Sequence, residues 1–214
     1  MEKNIAAIRQ TYSQKELLEK DVAPHPIHQF EQWWNDAVNA EISEVNAMTL
    51  ATAAADGMPS ARIVLLKDFS EQGFSFFTNY DSYKGRQLAE NPKACLVFFW
   101  KELERQTRIT GLVQQLPATD SDVYFYSRPI ESQAGAITSP QSRVIESREW
   151  LHHQYQSISE QVKKSGSKRP AHWGGYIVKP LIIEFWQGRP GRLHDRLQYS
   201  LQQDGNWKIE RLAP

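Results

Sequence analysis

The sequence predicts a mainly β fold, an antiparallel barrel with added helices. Strand-like runs follow one another without the regular strand–helix alternation that a parallel sheet needs. Connections rich in Asp, Gly and Pro separate several of them, as expected of hairpins. The chain has 214 residues, 40% hydrophobic and 11% aromatic, enough for one domain, residues 1–214, with a sizeable core.

Residues 1 to about 20 are charged and helix-prone with weak apolar periodicity, which predicts a mobile arm. "HPIHQFEQWWNDAVNAEI" places Ile27, Phe30, Trp33, Trp34 and Val38 at helical spacing, so a helix should lay one stripe on the core. "AMTLATAA" and "SARIVLLKDF" read as strands split by the turn "ADGMPS", and "GFSFFTNY" as an aromatic strand. "DSYKGRQLAENP" reads as a short helix capped by Asp81 or Ser82 and ended by Asn91-Pro92. "KACLVFFW" is a nearly all-apolar strand. "RQTRITGLVQQL" alternates, with Thr107, Ile109 and Leu112 among Gln106, Arg108 and Thr110. "PATDSDVYFYSRP" begins like a helix, with Pro117 early and acids in the first turn. "SREWLHHQYQSISEQVKKS" is a polar helix. "GGYIVKPLIIEFW", "RLQYSLQ" and "NWKIERL" close the chain as strands, the last two joined at Asp204-Gly205.

Charge narrows the function. Lys plus Arg equals Asp plus Glu at 25 each, so the basic excess of a nucleic-acid binder is missing. Local basic clusters then call for a local partner, such as a small anion. The single cysteine, Cys95, precludes an intrachain disulfide and argues against a cysteine metal site; a buried strand position is expected for it. The N-terminal stretch has no apolar signal region, and no apolar run approaches ~20 residues. A cytoplasmic protein that does not cross a membrane is expected.

"IEFWQGRPGRLHDR", residues 183–196, sets Arg189, Arg192, His194 and Arg196 beside an apolar run. Gly188, Pro190 and Gly191 disfavour a helix there. If the chain is extended from 191, Arg192, His194 and Arg196 share one face, and Leu193, Asp195 and Leu197 the other. That row is either a solvated edge strand or an anion site, since the guanidinium fork suits phosphate and carboxylate.

The same stretch resembles the signature of the pyridoxamine 5′-phosphate oxidases: a Glu-aromatic-Trp-Gln run, a four-residue spacer, then Arg-Leu-His-Asp-Arg. "ARIVLLK", "TNYDSYKGRQLAENP", "RQTRITG", "SRPIESQAGAITSPQS", "HWGGY" and "ERLAP" match in order, from about residue 50 to the end, and "IRQTY" is similar to the family's N-terminal segment. The resemblance implies an FMN-binding split β-barrel that works as a homodimer with the flavin in the subunit interface.

It also implies who holds what. Arg62 and Lys84 would meet the FMN phosphate, and the run Arg62, Ile63, Val64, Leu65, Leu66 and Lys67 would bind the cofactor. Phe77, Thr78, Tyr83, Gln106, Gln141, Ser142, Trp186 and Arg196 would complete the flavin site. The position before Lys84 is often Arg in the family and is Tyr83 here, so one cation is replaced by a hydroxyl. Lys67, Tyr124, Arg128 and Ser132 would grip the substrate phosphate. Arg62 and Lys67, five apart, would face opposite sides of an unbroken strand, a hint of separate ligands unless a bulge intervenes. Tyr124 and Arg128, four apart on a helix, could reach one point. Arg192, Leu193 and His194 would surround the pyridine ring, with Arg192 and His194 nearest the chemistry. Arg9 and Tyr12 map to the arm and would close over the occupied site.

The implied reaction oxidises the C4′ amine of pyridoxamine 5′-phosphate, or the C4′ alcohol of pyridoxine 5′-phosphate, to pyridoxal 5′-phosphate. Hydride passes to the flavin, and dioxygen leaves as hydrogen peroxide; no metal is implied. This would serve vitamin B6 biosynthesis and salvage. Rival readings are another flavin enzyme of the same fold acting on a different substrate, and a non-catalytic carrier of FMN or pyridoxal phosphate. Peroxide release on adding pyridoxamine 5′-phosphate separates both from the oxidase.

Overall fold

The computed structural model describes residues 11–214. Its sheet has nine strands: β1 (Ala47–Ala53), β2 (Pro59–Leu65), β3 (Asp68–Ser70), β4 (Gly73–Asn79), β5 (Lys93–Trp100), β6 (Arg105–Gln115), β7 (Trp173–Gln187), β8 (Asp195–Leu201) and β9 (Trp207–Arg211). Their order is β2-β1-β5-β6-β7-β4-β3, with β8 paired to β7 and β9 to β8. Five helices are inserted: α1 (Pro26–Asn39), α2 (Tyr83–Glu90), α3 (Ala118–Ser127), α4 (Ile130–Thr138) and α5 (Arg148–Ser165). The expected mainly β fold with added helices is what the chain adopts. The run "SARIVLLKDF" is broken at Leu66–Lys67 into β2 and β3, and α4 was not foreseen.

Contacts divide the chain into two compact units. The first holds the residues up to Thr49, Cys95–Thr110 and Pro180–Pro214; the second holds Leu50–Ala94 and Gly111–Lys179.

In the first unit, His25 caps α1 by accepting the Ile27 N–H, and Pro26 opens the helix where a missing N–H costs nothing. The buried stripe is Ile27, Phe30, Trp33 and Ala37. Val38, expected inside, is 47% exposed, because Ala37 completes the helical repeat from Trp33. Phe30 meets Phe98 at 5.2 Å between centroids, and Trp33 meets Phe185 edge-on at 5.1 Å. Arg105 is buried beneath them. Its Nη1 lies 2.7 Å from Asp36 Oδ2, its Nε donates to Gln187 Oε1 at 2.9 Å, and its guanidinium covers the Trp33 ring at 4.5 Å. One cation thus ties α1 to β6 and β7.

Of the N-terminal arm expected over residues 1 to about 20, the described residues begin at 11. Within the described part of this segment the regular structure is a 3-10 turn at Glu19–Asp21. The backbone N–H groups of Ser13 and Gln14 donate to Glu104 Oε2, and that of Leu17 to Asp195 Oδ2.

In the second unit, β4 pairs antiparallel with the start of β7, Phe76 facing Tyr176 and Thr78 facing Gly174. Phe74, Phe76 and Val178 are fully buried. Ser82 caps α2 by accepting the Gly85 N–H, and a Cβ at Gly85 would collide with the Tyr80 carbonyl. This cap brings the first turn of α2 against β4. Along β6 the inward residues are Arg105, Thr107, Ile109, Gly111 and Val113; Leu112 is on the exposed parity. Cys95 is half-buried on β5 rather than fully buried.

Candidate active site

A cavity of about 1020 Å³ lies in the second unit. From β2 it takes Arg62, Ile63, Val64 and Leu65, and just beyond the strand Lys67. From β4 come Phe77, Thr78 and Asn79, and from the first turn of α2 Tyr83 and Lys84. Tyr124 of α3, Arg128 at its C-terminal cap, Ser132 of α4, then Gln141, Ser142 and Trp173 close the lining. Arg62, Lys67, Lys84 and Arg128 all line it, and among the described residues no Asp or Glu does.

These cations form two groups. In one, Lys84 is only 8% exposed, and its Nζ donates to Thr78 Oγ1 at 2.9 Å, Gln141 Oε1 at 3.1 Å and Ser82 Oγ at 3.3 Å. All three acceptors are neutral. Burial, and then the Arg62 charge, push the Lys84 pKa from 10.5 down to about 8. Arg62 donates to Leu50 O, Thr52 Oγ1 and Ser60 Oγ, again with no carboxylate, and burial lowers its pKa too.

In the other, the Phe77 and Tyr124 rings stack at 4.0 Å, and Trp173 lies parallel to Tyr124 at 6.1 Å. Lys67 Nζ sits 5.8 Å from the Tyr124 centroid, and the Arg128 guanidinium covers Trp173 at 4.7 Å. Arg128 Nη1 is buried with no hydrogen-bond partner among the described residues. A buried, unpaired guanidinium donor is costly, so a cavity that keeps one suits an anionic ligand.

The first unit carries a second set. Trp186 on β7 is registered opposite Arg196 on β8. The expected extended run from residue 191 is not formed. Gly191 and Arg192 both take left-handed φ, 65° and 63°, within the 3-10 turn Pro190–Arg192, and β8 begins only at Asp195. Arg192, His194 and Arg196 therefore do not sit on one strand face. Arg192 joins Ser142, with φ 68°, as a non-glycine residue held in this region, a strain that functional loops commonly carry. His194 packs on Trp186 at 4.6 Å, and Tyr12 meets both rings edge-on, at 5.8 and 5.7 Å. Gly188 makes room for Tyr12: a Cβ there would lie 2.7 Å from the tyrosine ring. The Arg189 N–H donates to His194 Nδ1 at 3.1 Å. Neutral His194 thus carries its proton on Nε2 and presents a donor there.

The family profile described as "Pyridoxamine 5'-phosphate oxidase" matches residues 34–161. The chain belongs to the pyridoxamine 5′-phosphate oxidase family. A second profile, "Pyridoxine 5'-phosphate oxidase C-terminal dimerisation region", matches residues 173–214. The chain is 54% identical over 214 residues to the pyridoxine/pyridoxamine 5′-phosphate oxidase of Nostoc sp. (strain PCC 7120 / SAG 25.82 / UTEX 2576), covering 100% of both chains. It is 53% identical over 212 residues to that of Salinibacter ruber (strain DSM 13855 / M31), covering 98% of this chain and 99% of the relative. Among solved structures, PhzG from Burkholderia lata 383, in complex with tetrahydrophenazine-1-carboxylic acid, superposes with a TM-score of 0.87 at 30% identity over 92% of this chain and 98% of that one. A pyridoxamine 5′-phosphate oxidase-related, FMN-binding protein from Nostoc punctiforme PCC 73102 has the same fold, with a TM-score of 0.71 at 15% identity over 90% and 100% of the chains. Among the described residues no helix is long and apolar enough to cross a membrane.

Of the residues that the family motifs single out, the cavity gathers Arg62 to Leu65, Lys67, Phe77, Thr78, Tyr83, Lys84, Gln141 and Ser142 with Tyr124, Arg128 and Ser132. Leu66 points into the core instead, 4% exposed. Gln106, Trp186, Arg192, Leu193, His194 and Arg196 belong to the first unit, with Leu193 exposed. Arg9 lies outside the described residues. Arg62 and Lys67 do not share an unbroken strand, because β2 ends at Leu65, and both residues line the same cavity. Sequence reasoning missed Trp173, which carries Arg128, and buried Gln133, whose Nε2 donates to Arg128 O at 2.7 Å. The quoted "HWGGY" contained the first of these without revealing its task.

Proposed function

We propose that this chain oxidises pyridoxamine 5′-phosphate and pyridoxine 5′-phosphate to pyridoxal 5′-phosphate with FMN, reducing dioxygen to hydrogen peroxide, as a cytoplasmic homodimer. The observation that carries the reading is one cavity lined by two cation groups and, among the described residues, no acid. Two phosphoryl anions, one on the flavin and one on the vitamer, match that arrangement. The relatives' shared name supports the substrate class.

Arg62, Lys84, Thr78 and Gln141 would hold the FMN phosphate, Lys84 exchanging neutral acceptors for a charged one. Gln106, Ser142, Trp186 and Arg196 would complete the flavin site, and Tyr83 would add a hydroxyl. Bound FMN supplies the two-electron acceptor for oxidation at C4′ and passes the electrons to dioxygen. Lys67, Tyr124, Arg128 and Ser132 would take the substrate phosphate. Arg192 and His194 would orient the pyridine ring, His194 by donating from Nε2. Tyr12, already seated on His194 and Trp186, would exclude water together with Arg9. The amine substrate and one water give the aldehyde and ammonia; the alcohol gives the aldehyde directly.

The test is to titrate purified protein with FMN and assay peroxide with each phosphorylated vitamer. Failure to bind FMN, or no peroxide from either vitamer, would defeat the reading. A smaller prediction concerns Tyr83. Tyr83→Arg should tighten FMN binding about 3-fold at low salt and steepen its salt dependence, as an added phosphate contact does. Unchanged titrations at two salt levels would exclude a phosphate neighbour at this position.

A further inference from the structure

We propose that Glu184 is a positioning residue that sets the Arg196 guanidinium for the flavin, with Arg108 as the second cation it holds. This rests on the assignment of Arg196 to FMN made above. Glu184 is 5% exposed, yet it is a carboxylate on a strand that otherwise buries Ile183 and Phe185. Its Oε1 accepts from Arg196 Nε at 2.9 Å and its Oε2 accepts from Arg108 Nη1 at 3.1 Å. The alternation of β7 puts Glu184 on the same face as Trp186, which is registered opposite Arg196.

A buried carboxylate is expensive unless fully paired, and here two guanidinium groups share it. The geometry is directional. Arg196 spends Nε on Glu184 and Nη1 on Ala213 O at 2.7 Å, which holds the fork at two points and leaves Nη2 for a ligand. Arg108 is more exposed, and donates to Glu184 through Nη1 alone. Without the carboxylate the two guanidinium groups would repel, and Arg196 would lose the anchor at its Nε. The chain therefore uses a buried acid that touches no ligand to aim a cation that does.

The test is a double-mutant cycle read by FMN affinity, using quenching of flavin fluorescence on binding. E184Q keeps the size and removes the charge; it should raise the FMN Kd about 10-fold. R196A should raise it at least as much, and E184Q/R196A should be no worse than R196A alone, because the acid acts through the arginine. A stability role would lower the melting temperature of the apo-protein without that coupling. E184D, which keeps the charge but withdraws it by one methylene, should give an intermediate Kd and serves if E184Q does not fold. Wild-type affinity in E184Q or E184D, with R196A impaired, overturns the proposal alone, as does a double variant whose defects multiply. Wild-type affinity in R196A overturns the flavin role of Arg196 and the proposal with it.

Discussion

Lys84→Met should raise the Kd for FMN by roughly 100-fold at pH 7, the loss expected when charge-assisted hydrogen bonds worth about 1.5–3 kcal/mol disappear. The position of the Lys84 ammonium sets this loss. It is buried at the first turn of α2, held by Thr78, Ser82 and Gln141, and among the described residues no carboxylate compensates it. Burial and the Arg62 charge bring its pKa from 10.5 to about 8. Below pH 8 the free protein keeps the charge at a cost, and a bound phosphate would relieve that cost. Above pH 8 the free lysine is neutral, so FMN binding must take up a proton and should weaken as pH rises. Lys84→Met should show no such dependence between pH 8 and 10. The sign for stability follows from the same shift. Because the folded pKa lies below the unfolded one, the unfolded chain binds more protons between about 8 and 10.5, and the apo-protein gains stability across that window. The gain is roughly 3 kcal/mol at most, and it should vanish in Lys84→Met. Isothermal titration across pH, beside urea denaturation of the apo-protein, reads both. A wild-type Kd that stays flat from pH 7 to 10 would remove Lys84 from the phosphate.

How much of this was legible depended on whether a residue's task is set by its neighbours in sequence or in space. Strands were plain because apolar runs and Asp/Gly turns are local signals: "GFSFFTNY" and "NWKIERL" became β4 and β9. Ser82 was readable as a cap for the same reason. Side-chain parity was less secure. Val38 read as core, but Ala37 fills that place, because a small residue at the right phase outweighs a larger one at the wrong phase. The turn at Gly191 and Arg192 broke an assumed strand, since glycine before a positive-φ arginine reverses a chain that alternation alone would extend. The cavity residues were legible through the family motif. Trp173 and Glu184 were not, since each matters by touching a residue on another element, Arg128 for the first and Arg108 and Arg196 for the second; Gln133 lies only five residues from Arg128, but its contact depends on how α3 turns into α4.

Arg128→Leu should raise KM for pyridoxamine 5′-phosphate about 100-fold while leaving the FMN Kd within 2-fold and kcat within a few-fold. The phosphate takes no part in the bond changes at C4′, so its grip is felt equally in the ground and transition states, and loss of that grip appears in KM. Arg128 is aimed by two contacts. Trp173 lies under its guanidinium at 4.7 Å, and Gln133 Nε2 holds its carbonyl at 2.7 Å. Neither satisfies Nη1, which is buried and unpartnered. An unsatisfied buried donor costs about 1–3 kcal/mol, so the apo-protein bears this arginine as a liability. Leucine would keep contact with Trp173 without an unpaired donor. The variant should therefore melt at the wild-type temperature or a few degrees above it, even as it loses its substrate. That opposition is what separates a ligand-binding arginine from a structural one. Thermal denaturation of the apo-protein beside steady-state kinetics at saturating FMN measures both halves. A destabilised variant with unchanged KM would make Arg128 a packing residue, and would leave the second cation group without its substrate phosphate.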